Sequence, residues 1–464
     1  MKIRLFLTSV ALLGTVALSA QIVVDPSLAV GPVKPMHGVN NGPLKAGKSQ
    51  TRGNFDDYCA AHIPFARTHD AAFCSSYGGE HTVDITAIFP DFDKDPDDPA
   101  SYDFTMTDGY LKTIREAGTE VFYRLGQKIE HGEKKYGIMP PPDFLKWAVI
   151  CEHIIRHYNE GWAGGYHWNI RYWEIWNEPD LDARNDAWKV NPRTWGGSPE
   201  QFFAFYSLAA KHLKYCFPDL KIGGPAIAGD EKWAERFLCH LQKNRVPLDF
   251  FSWHSYAVKP ESVSAKADRI RALLDKYGYT DAESILNEWN YVKGWSDEYL
   301  YSVRAMNSIK GASFIVSVMQ DCQDKPVDAL MYYDARIGTS FNALFDFYTL
   351  KPTSCYYPFY AWSKLARCGQ QVAVSGVDDP ELHVTAARDD KGRLGILVTR
   401  YTDDNNVVAS KPVSLTLKGM QIGEAVGHLT DADHLFTEVP VQISDDTLHF
   451  RLEPTAFLYL TLVP

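Results

Sequence analysis

From about residue 36 to about residue 350 the chain repeats one pattern: a short apolar run rich in β-branched and aromatic residues, then a longer stretch with apolar positions at helical spacing. The short runs are Met36–Asn40, Phe65–Asp70, Val121–Leu125, Tyr172–Asn177, Lys221–Gly224, Phe250–His254, Ser284–Asn287 and Ala329–Tyr333. Strands buried on both faces read as continuous rather than alternating apolar sequence, and these runs have the length of such strands. Between them, helices are signalled at Tyr110–Ala117, closed by Gly118, and at Pro142–Tyr158. Strand and helix alternating eight times predict an α/β fold, a (β/α)8 TIM barrel.

After about Tyr360 the period changes to short alternating strands broken by turn signals at Asp389-Asp390-Lys391-Gly392 and Asp403-Asp404-Asn405-Asn406. That texture predicts a C-terminal antiparallel β-sandwich domain. The expected organisation is a leader over 1–20, a segment 21–35, the barrel over 36–364 and the sandwich over 365–464. The run Ile22-Val23-Val24, ahead of the first barrel strand, is expected to return and pair with the sandwich.

Working residues of such a barrel lie at the carboxyl ends of its strands. The fourth run, Tyr172-Trp173-Glu174-Ile175-Trp176-Asn177-Glu178-Pro179, carries Glu178 to the rim, with Glu174 pointing by alternation the same way. The seventh, Ser284-Ile285-Leu286-Asn287-Glu288-Trp289-Asn290, delivers Glu288 likewise. Strands four and seven face each other across eight, so the two carboxyl groups can converge. Retaining glycoside hydrolysis needs such a pair about 5–5.5 Å apart, one acting as acid/base and one as nucleophile. Trp173 and Trp176 are expected to desolvate the acid. Glu174 is expected to serve inside the barrel, and Arg67 either to hold a carboxylate there or to touch substrate. His37, Asn40, His69 and His254 stand at other strand ends, each open to a core or a cleft role.

Trp173–Pro179 resembles the acid/base motif of the retaining glycosidase clan with catalytic glutamates on strands four and seven. Within that clan the chain is most similar to glycoside hydrolase family 39, of β-xylosidases and α-L-iduronidases, through Arg67-Thr68-His69, Asp249–Tyr256 and the trailing β-domain. The resemblance implies Glu178 as acid/base, Glu288 as nucleophile, Asn177 as the residue that hydrogen-bonds the sugar 2-hydroxyl, and His254 and Tyr256 as subsite residues. His69, Asn40 and Trp289 complete the expected substrate-binding set. Asn287 stands where family members often have threonine. An exo-acting β-D-xylosidase-like enzyme on plant or algal polysaccharide fragments is the implied activity. Alternatives are a uronidase, for which Lys128, Arg184, Lys259 and Arg336 are candidate carboxylate binders, an endo-β-glycosidase of the same fold, and a non-catalytic carbohydrate-binding protein.

Charge and composition narrow the partners. A net charge of −11 gives no electrostatic footprint for nucleic acid or an anionic membrane surface. Lys2 and Arg4 before the apolar run Leu5–Leu18, then Ser19 and Ala20, read as a signal peptide, and Gln21-Ile22 follow in place of a lipidation cysteine, so the protein is expected to be secreted or periplasmic without membrane insertion. Aromatic residues make up 13% of the chain, including 12 Trp, which suits platforms for sugar rings. The loop after strand four, with Arg184, Trp188, Lys189, Arg193 and Trp195, is a candidate for such stacking or for holding an anion.

The eight cysteines allow disulfides, with Cys59–Cys74 and Cys355–Cys368 as candidates. Asp91, Asp93, Asp95, Asp97 and Asp98 fail the calcium-loop template, which wants Gly and Glu where Pro96 and Tyr102 stand, and read as a surface loop. No clustered His or Cys spacing indicates zinc and no glycine-rich turn indicates a nucleotide, so no cofactor is expected.

Overall fold

In a computed structural model, which describes residues 21–47, 51–69 and 82–463, all eight predicted runs form strands of one closed parallel barrel. In order they are Gly38–Asn40, Phe65–Arg67, Glu120–Leu125, Tyr172–Ile175, Lys221–Ile227, Phe250–Ala257, Glu283–Tyr291 and Ala329–Tyr332, called barrel strands one to eight below. The expected leader and Cys74 lie outside the described residues.

Several of the helices that pack around the barrel begin where a side chain satisfies their first N–H groups. Asp143 accepts from Leu145 and Lys146 to open Phe144–Glu160, which Gly161 closes in the left-handed conformation at φ 77°. Ser198 and Gln201 form a reciprocal capping box at the start of Pro199–Cys216, and Asp230 caps Glu231–Lys243.

The interior of the barrel is layered. Inward positions Phe65, Phe122, Tyr172, Phe250, Ile285 and Met331 plug one end with apolar side chains. Two residues further along four of those strands the inward side chains are Arg67, Glu174, Ser252 and Asn287, and they form a buried polar layer. This layer is the floor of the site.

The β-structure after the barrel is one curled ten-stranded sheet. Within it Ile22–Pro32 lies between Gln370–Ser375, antiparallel, and Lys411–Leu417, parallel, while the remaining pairs are antiparallel. The curl encloses its own core of Val24, Ile396, Val398, Leu415, Leu458 and Leu460. Its other face buttresses the barrel: Tyr401 donates to the carbonyl of Val258, just beyond strand six, and Asp403 accepts from Tyr291 at the end of strand seven.

Cys355 and Cys368 are unpaired thiols. The helix Tyr357–Cys368 lies between them and holds them roughly 18 Å apart along its axis, beyond disulfide reach. The Asp91–Asp98 segment is a run of exposed Asx turns, in which Asp91 and Asp95 cap the N–H groups of Asp93 and Asp97. No helix among the described residues is long and apolar enough to cross a membrane.

Candidate active site

Glu178 reaches the barrel mouth by a different backbone path from the one alternation predicts. Barrel strand four ends at Ile175, and Trp176 and Glu178 both adopt left-handed conformations, at φ 77° and 49°. Non-glycine residues pay for such geometry, and the surroundings impose it here. Trp176 N–H is held by the carbonyl of Leu125 on strand three, and Glu178 N–H by that of Ala226 on strand five. The loop after strand four supports the turn from behind: Thr194 donates to the Glu178 carbonyl and accepts the Trp176 indole N–H on its own carbonyl.

Glu288 is placed by a bulge. The pairing of strands six and seven steps from Trp253–Leu286 to His254–Glu288, so Asn287 is the extra residue. Consecutive side chains can then both face inward, Asn287 to Glu174 in the floor and Glu288 to the mouth. Without the bulge, alternation would turn Glu288 towards the helices.

The two carboxyl groups converge. One oxygen of each, with a nitrogen of His254, lies within 4.8 Å of the other two. His254 Nδ1 is 2.7 Å from Glu178 Oε1 and 3.6 Å from Glu288 Oε2. Glu178 is only 6% exposed, and its carboxyl is held well above the ordinary range, first by burial and then by the neighbouring charges of Glu288 and Asp180. Glu288 receives donors: Tyr256 Oη at 2.6 Å on Oε1, and Arg67 Nη1 at 3.2 Å on Oε2, with His69 Nε2 3.3 Å from Oε2. Burial pulls His254 down to about 4, so it stands between the carboxyl groups as a neutral ring at neutral pH.

The remaining sequence candidates separate into two sets. Asn177 lies at the mouth, with its Oδ1 fixed by Arg67 Nη2 at 2.6 Å and its buried Nδ2 without a protein partner among the described residues. His254 Nε2 is in the same condition, and buried polar atoms left this way at a cleft are what a ligand hydroxyl would satisfy. Asn40 sits lower. Its amide donates to the carbonyls of Asn287, Met331 and Tyr332 and accepts from Arg67, which leaves it as part of the floor. Trp289 faces away from the cleft, fully buried among Tyr332 and Phe314 on the helix side, because the residue after an inward glutamate points outward. His37, bonded to the carbonyl of His62, is likewise remote. Of the loop after strand four, Trp195 is buried against Trp176 and Phe205, and Arg193 pairs with buried Asp182.

Sequence reasoning missed an aromatic wall on the nucleophile side. Trp295, 60% exposed on the segment after strand seven, stands edge-on to Tyr256 at 4.9 Å, and Phe341 links Trp295 to Tyr333. Tyr333 in turn meets the ring of His69. An exposed tryptophan in a glycine-flanked loop carries no periodic signal, which is why its position relative to Glu288 was not legible.

A family model described as glycosyl hydrolases family 39 matches residues 78–339, more than half of the chain. The chain belongs to that family. Among the relatives of this family 39 chain, a beta-xylosidase of Caldicellulosiruptor saccharolyticus is 28% identical over 50% of this chain and 48% of its own length. A beta-xylosidase of Geobacillus stearothermophilus is 28% identical over 38% and 35%, and the human alpha-L-iduronidase 26% identical over 45% and 34%. The matched region thus spans about half or less of these curated relatives. Similar solved folds are a glucosidase from Croceicoccus marinus, with TM-score 0.75, 22% identity and coverage of 96% and 99% of the two chains, and a family 39 enzyme from Xanthomonas axonopodis pv. citri, with TM-score 0.68, 17% identity and coverage of 97% and 98%.

Proposed function

We propose that this protein hydrolyses glycosides with retention of anomeric configuration, acting as an exo-β-D-xylosidase-like enzyme on oligosaccharide fragments. The observation that carries the reading is the approach of Glu178 and Glu288 to within 4.8 Å. Inverting enzymes keep their carboxyl groups about 6.5–9.5 Å apart to admit a water, whereas a retaining pair stands closer. Glu288 attacks the anomeric carbon while Glu178, protonated through burial, gives its proton to the leaving oxygen. In the second step Glu178 takes a proton from water, which displaces Glu288 from the sugar. Asn177 and His254 offer donors or acceptors to the ring hydroxyls. Relatives named for β-xylosidase support xylose as the first sugar to test.

The test is a panel of aryl glycosides of xylose, arabinose, glucose, galactose and uronic acids, with the first-formed anomer of the product read by NMR. Turnover with a retained anomer is expected. An inverted product, or no turnover of any glycoside by folded protein, would reject the mechanism. The acid role also sets a pH profile. Because Glu178 must carry its proton, kcat on poor leaving groups should fall as pH rises through its elevated pKa, and Glu178→Gln should remove that alkaline limb.

Trp295→Ala should lower kcat/KM about tenfold on oligosaccharides through lost stacking, about 1.4 kcal/mol, and leave thermal stability nearly unchanged because the ring is exposed.

A second reading, a glycoside bearing a carboxylate, is favoured by Lys128. It is 6% exposed on the loop after strand three, makes no ion pair among the described residues, and sits two residues before Glu130, whose N–H is bonded to the carbonyl of Arg193 beside the Glu178 support. By contrast Arg184 and Lys259 are exposed, and Arg336 lies beside Asp334. If uronides are the better substrates in the panel, Lys128→Met should reverse the preference.

A further inference from the structure

Outside the barrel mouth, the helices flanking strand four bring together three side chains of ligating chemistry. His212 and Cys216 lie four residues apart near the end of Pro199–Cys216, hence on one face, and Glu152 meets them from Phe144–Glu160. His212 Nε2 is 2.7 Å from Glu152 Oε2 and 3.8 Å from Cys216 Sγ, and all three atoms lie within 4.8 Å of one another. We propose that Glu152, His212 and Cys216 form a binding site for a thiophilic divalent cation of the zinc type, with the fourth position open to water.

The geometry is within reach of that ion. Tetrahedral zinc with ordinary bond lengths sets nitrogen and oxygen roughly 3.3 Å apart and nitrogen and sulfur roughly 3.6 Å apart, so small rotamer shifts suffice. Thiolate, imidazole and carboxylate together favour zinc over calcium or magnesium, which take oxygen donors. The carboxylate is already oriented: Arg156 Nε and Nη2 each hold Glu152 Oε1 at 2.8 Å, which leaves Oε2 to face His212. All three residues are partly exposed, so an ion can enter from solvent.

Without a metal, Glu152 and His212 form an ion pair and the Cys216 thiol is hydrogen-bonded beside them, so the three ligating groups already face one point. Burial and the adjacent Glu152 charge raise Cys216 to about 11, so the metal-free thiol keeps its proton. Binding releases that proton to solvent and places a cation between the thiolate and the carboxylate. Sequence could not reveal the cluster, since Glu152 lies 60 positions upstream of His212. A bound ion would cross-link the helices before and after the strand that presents Glu178.

The full chain, reduced and chelator-treated, is titrated with Co2+ and then Zn2+. One equivalent of Co2+ should give a thiolate-to-metal charge-transfer band that stoichiometric Zn2+ bleaches, and bound Zn2+ should raise the thermal midpoint. Cys216→Ser should abolish the band and weaken Zn2+ by more than about 100-fold, while Cys239→Ser keeps both. Circular dichroism and turnover of an aryl glycoside by metal-free Cys216→Ser should match wild type, which separates this outcome from misfolding. A band that survives in Cys216→Ser, or wild type that gains neither band nor thermal shift, would overturn the proposal.

Discussion

Glu288→Ala is expected to lower kcat on every glycoside, activated or not, by at least about 10⁴-fold, a loss on the order of 5.5 kcal/mol of barrier. No group near it can replace the attacking carboxylate. Glu178 is engaged by the ring of His254, which stands between the two carboxyl groups, and Tyr256 and Arg67 are donors. Glu178→Ala should behave differently. The loss should be about 10²–10⁴-fold for poor leaving groups and much smaller for aryl groups that depart without a proton. Azide should then rescue Glu178→Ala to a glycosyl azide of retained configuration, since the covalent intermediate still forms, and should give the inverted azide with Glu288→Ala. Turnover by Glu288→Ala within tenfold of wild type would remove the nucleophile assignment. Identical responses of the two variants to leaving group would remove the division of roles.

How much of this was legible in the sequence depends on how local the signal was. The eight strands were readable because a strand buried on both faces is an uninterrupted apolar run, and both glutamates because each follows such a run. Where the backbone departs from its period, the position was readable but the path to it was not. Alternation would have sent Glu178 inward from a regular strand, yet left-handed residues at 176 and 178 place it. The same rule would have turned Glu288 outward, and the bulge at Asn287 turns it back. Trp289 was misjudged for the complementary reason: adjacency to Glu288 in sequence is opposition in space. Asn40 stands at a strand end, as substrate residues do, but three backbone carbonyls claim its amide, and such long-range partners leave no mark on local sequence. Arg67 was readable as holding a carboxylate or touching substrate. It holds two carboxylates, Glu174 in the floor and Glu288 at the mouth.

That double hold makes Arg67→Met the substitution with the largest expected effect on folding. The guanidinium is fully buried and donates to Glu174 at 2.7 Å, Asn177 at 2.6 Å, Asn40 at 3.1 Å and Glu288 at 3.2 Å. Its removal leaves Glu174 as a buried charge with only the neutral donors Ser252 and Asn287. Breaking such a pair costs about 3–5 kcal/mol, a large share of the roughly 5–15 kcal/mol that holds a domain together. Denaturant unfolding should therefore show Arg67→Met strongly destabilised, and Arg67→Lys nearly as much, because an ammonium cannot reach the same acceptors with a planar fork. Adding Glu174→Gln to Arg67→Met should recover about 1–3 kcal/mol, since the stranded charge is then gone. Activity should stay low in that double variant, because Glu288 and Asn177 would still lack their common donor. Stability and catalysis thus separate in one cycle. A loss below about 1 kcal/mol for Arg67→Met, or recovery of both properties together in the double variant, would mean that the floor does not organise the mouth through this side chain.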